Sequence, residues 1–397
     1  MLKRTRWSLA AATGLALGLG LVTPAAAAPG PVAAPTAAAA RTTAAATSAA
    51  LPPALARLLP ADWDQRRAAA AARLGVEPSP AQEALERVID PADHACAPTA
   101  LDAFVEDLVA GVPTEDLLVL ALFGGLDVAT YDALLHGTAS DPRYALDPDY
   151  RKELSTSFRS AQRFWDVQSS DIQLLAMHGA AAQDAARVER FYREVYGVPA
   201  ADARELAALV VDAVRRLPGG ADNPLLTLNA YAFTAEGDDD PLVAGVPDKI
   251  VFGDGILAFL EHLRIADVGA RAILAHEFAH HVQFEQDLFD SPLTGPEATR
   301  RTELMADAFA TYFATHKRGL TLNAKRLLQV ERSFFEVGDC SFESDGHHGT
   351  PAQRLRASQW GADVARSAQK QGHVLPSLVL AGRFEAALPG FVRPDAG

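Results

Sequence analysis

The sequence predicts an α+β fold, mostly helical, and three observations carry that prediction. Residues 51–217 keep a helical spacing of apolar positions in a background rich in Ala, Leu, Arg and Glu. The period shortens to two at 225–233 (LLTLNAYAF), and a second short strand follows at 249–252 (KIVF), which together read as a small, mostly antiparallel sheet. Helical spacing then returns at 256–263, 268–287 and 295–317. The order is helices, a small sheet, then a second set of helices.

The first fifty residues stand apart from this pattern. Lys3, Arg4 and Arg6 precede an apolar run at 9–22, followed by Pro24 and an alanine tract. This is the plan of a secretory signal at 1–28, with small residues for cleavage at 26–28. The run is short for a bilayer span, so an uncleaved signal anchor is the lesser reading. No cysteine lies near the cleavage region, which speaks against a lipid-attached form. The chain is read as secreted or otherwise extracytoplasmic. Residues 29–50, dominated by Ala, Pro, Thr and Ser, cannot bury enough apolar surface to offset their ordering entropy and read as a disordered linker.

Within 51–217, breaks fall at 78–80, Pro98, 111–113, 137–148 and 197–199. Segments 188–196 and 203–217 read as amphipathic helices joined by the turn Gly197-Val198-Pro199. A second region spans 218–397, with G-D-G at 253–255 read as a tight turn after the second strand. The 397 residues are 49% apolar and 22% charged, as in globular proteins. A net charge of -14 argues against a nucleic-acid phosphate footprint and a polybasic membrane patch. The two cysteines, Cys96 and Cys340, point to one disulfide if the chain is exported; two separate buried thiols are the alternative.

The helix at 268–287 contains H-E-F-A-H from 276 to 280. On a helix, positions four apart lie about 40° from each other, so His276 and His280 can reach one metal ion. Glu277 can then lie beside a metal-bound water as its general base. In the same helix Ile273, Leu274, Phe278 and Val282 supply core contacts. A hydrolytic zinc site takes three protein ligands, and the third must come from elsewhere. Thr302-Glu303-Leu304-Met305-Ala306-Asp307 offers Glu303, with Asp307 one turn further on the same face. From there Asp307 can accept the other ring N–H of His276 and fix its tautomer. His, His and Glu also suit other divalent ions.

H-E-F-A-H-H-V-Q, followed after some twenty residues by E-L-M-A-D, resembles the gluzincin group of zinc metallopeptidases. More narrowly, it resembles the bacterial family of neutral zinc metallopeptidases. I-V-F-G-D-G-I at 250–256, Gln283, and G-H-H-G-T-P-A-Q-R at 346–354 agree with that family. The third-histidine continuation H-x-x-G-x-x-H is absent, which fits the glutamate-ligand kind. The likeness covers about 224–361; residues before about 180 depart from the compact family pattern. It implies a zincin-like catalytic domain in 218–397. It also implies one catalytic Zn2+ on His276, His280 and Glu303, Glu277 as general base and later proton donor, and Asp307 as the residue orienting His276. His348, His347, Arg354 and Tyr312 are candidates to stabilise the oxyanion, with a loop histidine, His348 or His347, preferred because one resembles related peptidases.

Other features have plainer readings. His281 points about 100° away from His280 and reads as a neighbour of the site. Gln283 reads equally as a site hydrogen-bond partner or a structural polar group, and 346–354 equally as a site segment or a structural loop, with Arg354 pairing a carboxylate. The acidic run at 236–240 (EGDDD) reads as a solvated loop before a calcium site. His94, His136, His178, His262, His316 and His373 show no ligand spacing. The resulting expectation is an exported zinc-dependent metallopeptidase acting on a peptide or protein substrate laid along the strand at 225–233. The helical region would cap the cleft, occlude it or bind a partner. The alternatives are a catalytically silent zincin-fold scaffold acting through that region, and a protein with a structural zinc.

Overall fold

The computed structural model describes residues 55, 57–76, 79–89, 100–335, 349–369 and 372–392. The signal, the linker, Cys96, Cys340, His94, His347 and His348 lie outside them. Before the first strand come α1 (Trp63–Leu74), α2 (Pro80–Ile89), α3 (Ala100–Leu108), α4 (Thr114–Leu122), α5 (Val128–His136) and α6 (Pro148–Phe164). Then follow β1 (Gln173–Met177), α7 (Ala180–Gln183), α8 (Ala185–Glu194), α9 (Ala200–Arg216), β2 (Ala230–Phe233) and β3 (Lys249–Gly253). The chain ends with α10 (Asp254–His262), α11 (Ala266–Glu285), α12 (Pro296–Thr315), α13 (Ala324–Phe335), α14 (Pro351–Gln369) and α15 (Ser377–Phe391). Among the described residues the fold is α+β and mostly helical. No helix among them is long and apolar enough to cross a membrane.

The sheet differs from the expectation of a mostly antiparallel one. Its order is β1-β3-β2, with β1 parallel to β3 (Gln173↔Lys249 through Met177↔Gly253) and β2 antiparallel to it (Ala230↔Phe252 through Phe233↔Lys249). The extra strand, β1, comes from the stretch read as helical. Its sequence QLLAM holds residues at home in helices, and pairing with the fully buried central strand decides its conformation. β2 also starts later than the alternation at 225–233 indicates. Asn223 accepts the Leu225 N–H at 2.9 Å and Pro224 sets the first φ, so Pro224–Thr227 winds as a 3-10 turn before the chain extends.

G-D-G at 253–255 is a strand running directly into a helix, where a tight turn was expected. A Cβ on Gly253 would fall 1.8 Å from the Thr227 carbonyl oxygen, and one on Gly255 1.9 Å from that of Pro224. These glycines let β3 and α10 cross the backbone of the 3-10 turn, and the Gly255 N–H donates to Thr227 Oγ1 at 2.9 Å. The predicted helices otherwise appear within a few residues of their sequence limits, the usual uncertainty of helix ends.

The larger of two hydrophobic clusters among the described residues runs from Leu55 to Phe391. α11 passes through it, buried on nearly every side, including Ile273, Leu274, Phe278 and Val282, and it packs on α6, α10, α12, α13 and β2. His281 shows how firmly it is held: Nε2 lies 2.9 Å from the Lys249 carbonyl oxygen and Nδ1 3.4 Å from Asp248 Oδ2. Lys249 in turn is 1% exposed and donates from Nζ to the carbonyls of Ala133, Leu134 and Gly137, capping the end of α5. Burial pushes its ammonium down to about 8, against the pull of Asp132. The acidic run at 236–240 is tied by turns: Asp238 Oδ1 accepts the Asp240 N–H at 2.7 Å, and Asp240 pairs with Arg73 at 3.4 Å.

Candidate metal centre

α11 and α12 lie side by side, and their facing turns carry the two i, i+4 pairs seen in the sequence. His276 Nε2 lies 3.1 Å from His280 Nε2 and 3.3 Å from Glu303 Oε2; His280 Nε2 lies 3.3 Å from Glu303 Oε1. The two rings are nearly perpendicular, at 85°. Four ligands at about 2.0–2.1 Å from a tetrahedral ion are separated by about 3.3 Å, close to the spacing of the two ring nitrogens from each other and of each from its nearer Glu303 oxygen. The group His276, His280 and Glu303 could hold a metal ion.

The surrounding hydrogen bonds aim the ligand atoms inward. His280 Nδ1 is 2.8 Å from Gln283 Oε1, and the Gln283 amide donates to the Thr302 carbonyl at 2.8 Å. Gln283 can only accept through that oxygen, so the His280 proton sits on Nδ1 and Nε2 keeps its lone pair for the cluster. His276 Nδ1 is 3.0 Å from Asp307 Oδ1, which fixes the same tautomer. Asp307 is held from behind by Arg354, whose Nε and Nη2 donate to its two oxygens at 2.8 Å each.

This last contact corrects one expectation. Arg354 does not face the reacting space as an oxyanion donor; it is buried and spent on Asp307, with Nη2 3.7 Å from Glu303 Oε2. The segment Thr350-Pro351-Ala352-Gln353 that delivers it is a helix start. The Gln353 N–H donates to Thr350 Oγ1 and the Thr350 N–H to Gln353 Oε1, both at 3.1 Å, with Pro351 as the first helical residue. Tyr312 is likewise no donor to the site: it is fully buried and accepts the Leu375 N–H at 2.9 Å. His281 faces the sheet, away from the cluster. The other described histidines contact neighbours elsewhere, as His136 does Glu194 at 2.9 Å and His178 does Asp254 at 2.6 Å.

Electrostatics mark the cluster as a place of concentrated base. Burial works against the charge on His276, but hydrogen bonds with Asp307 and Glu303 overcome it and push the imidazolium up to about 10. Burial likewise opposes the charge on His280, and Glu303 raises it nonetheless. Burial raises Asp307 too, yet Arg354 and His276 hold it below the ordinary carboxylate range. Glu277, next to His276 on α11 and 7% exposed, is raised by burial, with His276 and His280 pulling the other way. Protons on the imidazoles thus balance the carboxylates in the metal-free protein.

Sequence reasoning placed His276, Glu277, His280, Glu303 and Asp307 together, and left the role of Gln283 open. It gave pairing with a carboxylate as one reading of Arg354 but did not identify Asp307 as the partner, although the T-x-x-Q box before it is a local helix-start signal. It also missed Phe289, whose ring centroid lies 6.4 Å from that of His280 and which no periodicity distinguishes. No family model, no curated protein and no solved structure matches this chain.

Proposed function

We propose that the chain is a zinc-dependent metallopeptidase with a zincin-like catalytic region, exported on the strength of its N-terminal signal pattern. The observation that carries this reading is the convergence of His276, His280 and Glu303 beside a buried Glu277. When bound by those three residues, a zinc ion supplies Lewis acidity toward a scissile carbonyl and an attacking water.

The chain's own groups do the rest. Glu277 takes a proton from the attacking water and delivers it to the leaving amine. Its burial-raised pKa suits both transfers, because a carboxylate nearer neutrality is a better base and its acid a competent donor. Gln283 and Asp307 keep the imidazoles in their ligand tautomers, and Arg354 keeps Asp307 ionised. β2 lies at a sheet edge and packs on α11, which supports a peptide lying extended along it through backbone hydrogen bonds.

The test combines metal content by mass spectrometry with casein hydrolysis, in wild type and Glu277→Gln. Zinc retained by both proteins, with hydrolysis lost only in the variant, supports the reading. A zinc-loaded wild type that cleaves no protein or peptide contradicts it and leaves a silent scaffold or a structural zinc.

A further inference from the structure

Phe289 is a large aromatic side chain left 46% exposed, its ring centroid 6.4 Å from that of His280. Its ring stacks on Phe284 with centroids 5.0 Å apart and planes 13° from parallel. Among the described residues the other large exposed apolar side chains, Leu378, Val379 and Val392, belong to α15 and its end.

The position of Phe289 is built. α11 ends in a Schellman turn: the Leu288 N–H donates to the Gln283 carbonyl at 2.9 Å and the Asp287 N–H to that of Phe284 at 3.3 Å. Asp287 takes the left-handed conformation the turn needs, with φ 52°. Leu288, partly buried against the core, occupies the place of the apolar residue that completes such a cap, so the cap does not require Phe289. The Leu288 carbonyl then accepts from Arg301 Nη1 at 2.6 Å, and Arg301 Nε donates to Glu385 at 2.8 Å. Arg301 is buried and stands two residues before Glu303 on α12. One guanidinium therefore fixes the chain bearing Phe289 relative to the helix bearing a metal ligand.

Resting on the metallopeptidase reading, we propose that Phe289, backed by Phe284, is the wall of a specificity subsite that receives an apolar, preferably aromatic, side chain adjacent to the scissile bond. A flat ring held next to a metal ligand offers stacking and dispersion to an aromatic guest.

The test uses the zinc-loaded full chain as wild type, Phe289→Ala and Phe289→Leu. Two peptide hydroxamates, identical except for a benzyl group in place of hydrogen at the residue next to the metal-binding end, are titrated by calorimetry. Matched fluorogenic peptides supply kcat/KM. Wild type is expected to favour the benzyl ligand and substrate by about tenfold or more, the scale on which an apolar pocket discriminates. Phe289→Ala should collapse that ratio, and Phe289→Leu, which keeps apolar surface, should give an intermediate one. A ratio unchanged in Phe289→Ala, or near unity in wild type, overturns the subsite; if such proteins still cleave peptides, the peptidase reading stands without it. A Phe289-dependent binding ratio with no cleavage of any peptide supports the subsite and overturns the hydrolytic reading.

Discussion

Two buried polar clusters in this molecule obey opposite rules. Around Asp132, the carboxylate accepts from Arg187, Arg190 and the Tyr144 hydroxyl, the last at 2.7 Å. Around His276, Asp307 and Gln283 hold the outer ring nitrogens, and the inner nitrogens lie against each other and the Glu303 carboxylate in a group that could hold a metal ion. The first cluster is closed and serves to join α5 to α8 and the loop before α6. The second gathers two imidazoles and a carboxylate within reach of one position that a metal ion could take. A buried charged network is thus no sign of function by itself; the direction in which its lone pairs point separates a brace from a site.

Breaking each cluster should give different losses. The largest effect on chemistry is expected from Glu303→Ala, which removes one of the three proposed ligands: hydrolysis should fall by about a thousandfold or more and bound zinc below stoichiometric, as read by mass spectrometry. The counterpart, Asp132→Asn, should cost about 2–3 kcal/mol in urea unfolding, because it takes the charge partner from the partly buried Arg187 guanidinium. The folded fraction of that variant should keep its zinc. If Asp132→Asn loses zinc as Glu303→Ala does, the contrast between the clusters fails.

Smaller effects sharpen the comparison. Asp307→Asn and Gln283→Leu disturb the groups that orient the imidazoles and should weaken zinc binding by about 10–100-fold in a chelator competition. A further effect is on pH dependence. In the metal-free protein His276 is raised from 6.5 to about 10, so its contribution to stability is full below its unfolded value and is lost as pH rises toward about 10. The melting temperature of the metal-free form, relative to the zinc-loaded form, should therefore fall from pH 7 to pH 10. Zinc uptake should also release protons, measured by calorimetry in buffers of different ionisation enthalpy. A relative melting temperature that instead rises across this range contradicts the charge assignment at His276.

What the sequence disclosed follows from the range of the interactions involved. His276, Glu277 and His280, like Glu303 and Asp307, are set by helical spacing within single helices, and a short stretch of sequence contains all of that information. β1 was not legible, because QLLAM becomes a strand only beside β3, more than seventy residues away. The 3-10 turn at Pro224–Thr227 broke a convincing alternation because Asn223 and Pro224 act locally against it. Arg354 meets Asp307 across 47 positions, so its purpose appears only when α12 and α14 pack. Phe289 owes its place to a helix end without glycine, since Asp287 fills the left-handed position where a glycine signals a stop.

The most direct test of the central claim is a crystal structure of the zinc-loaded protein with anomalous data at the zinc edge. The account predicts one strong peak bounded by His276 Nε2, His280 Nε2 and a Glu303 carboxylate oxygen, each at about 2.0–2.2 Å. A zinc peak elsewhere, or none at this cluster under saturating metal, would contradict it.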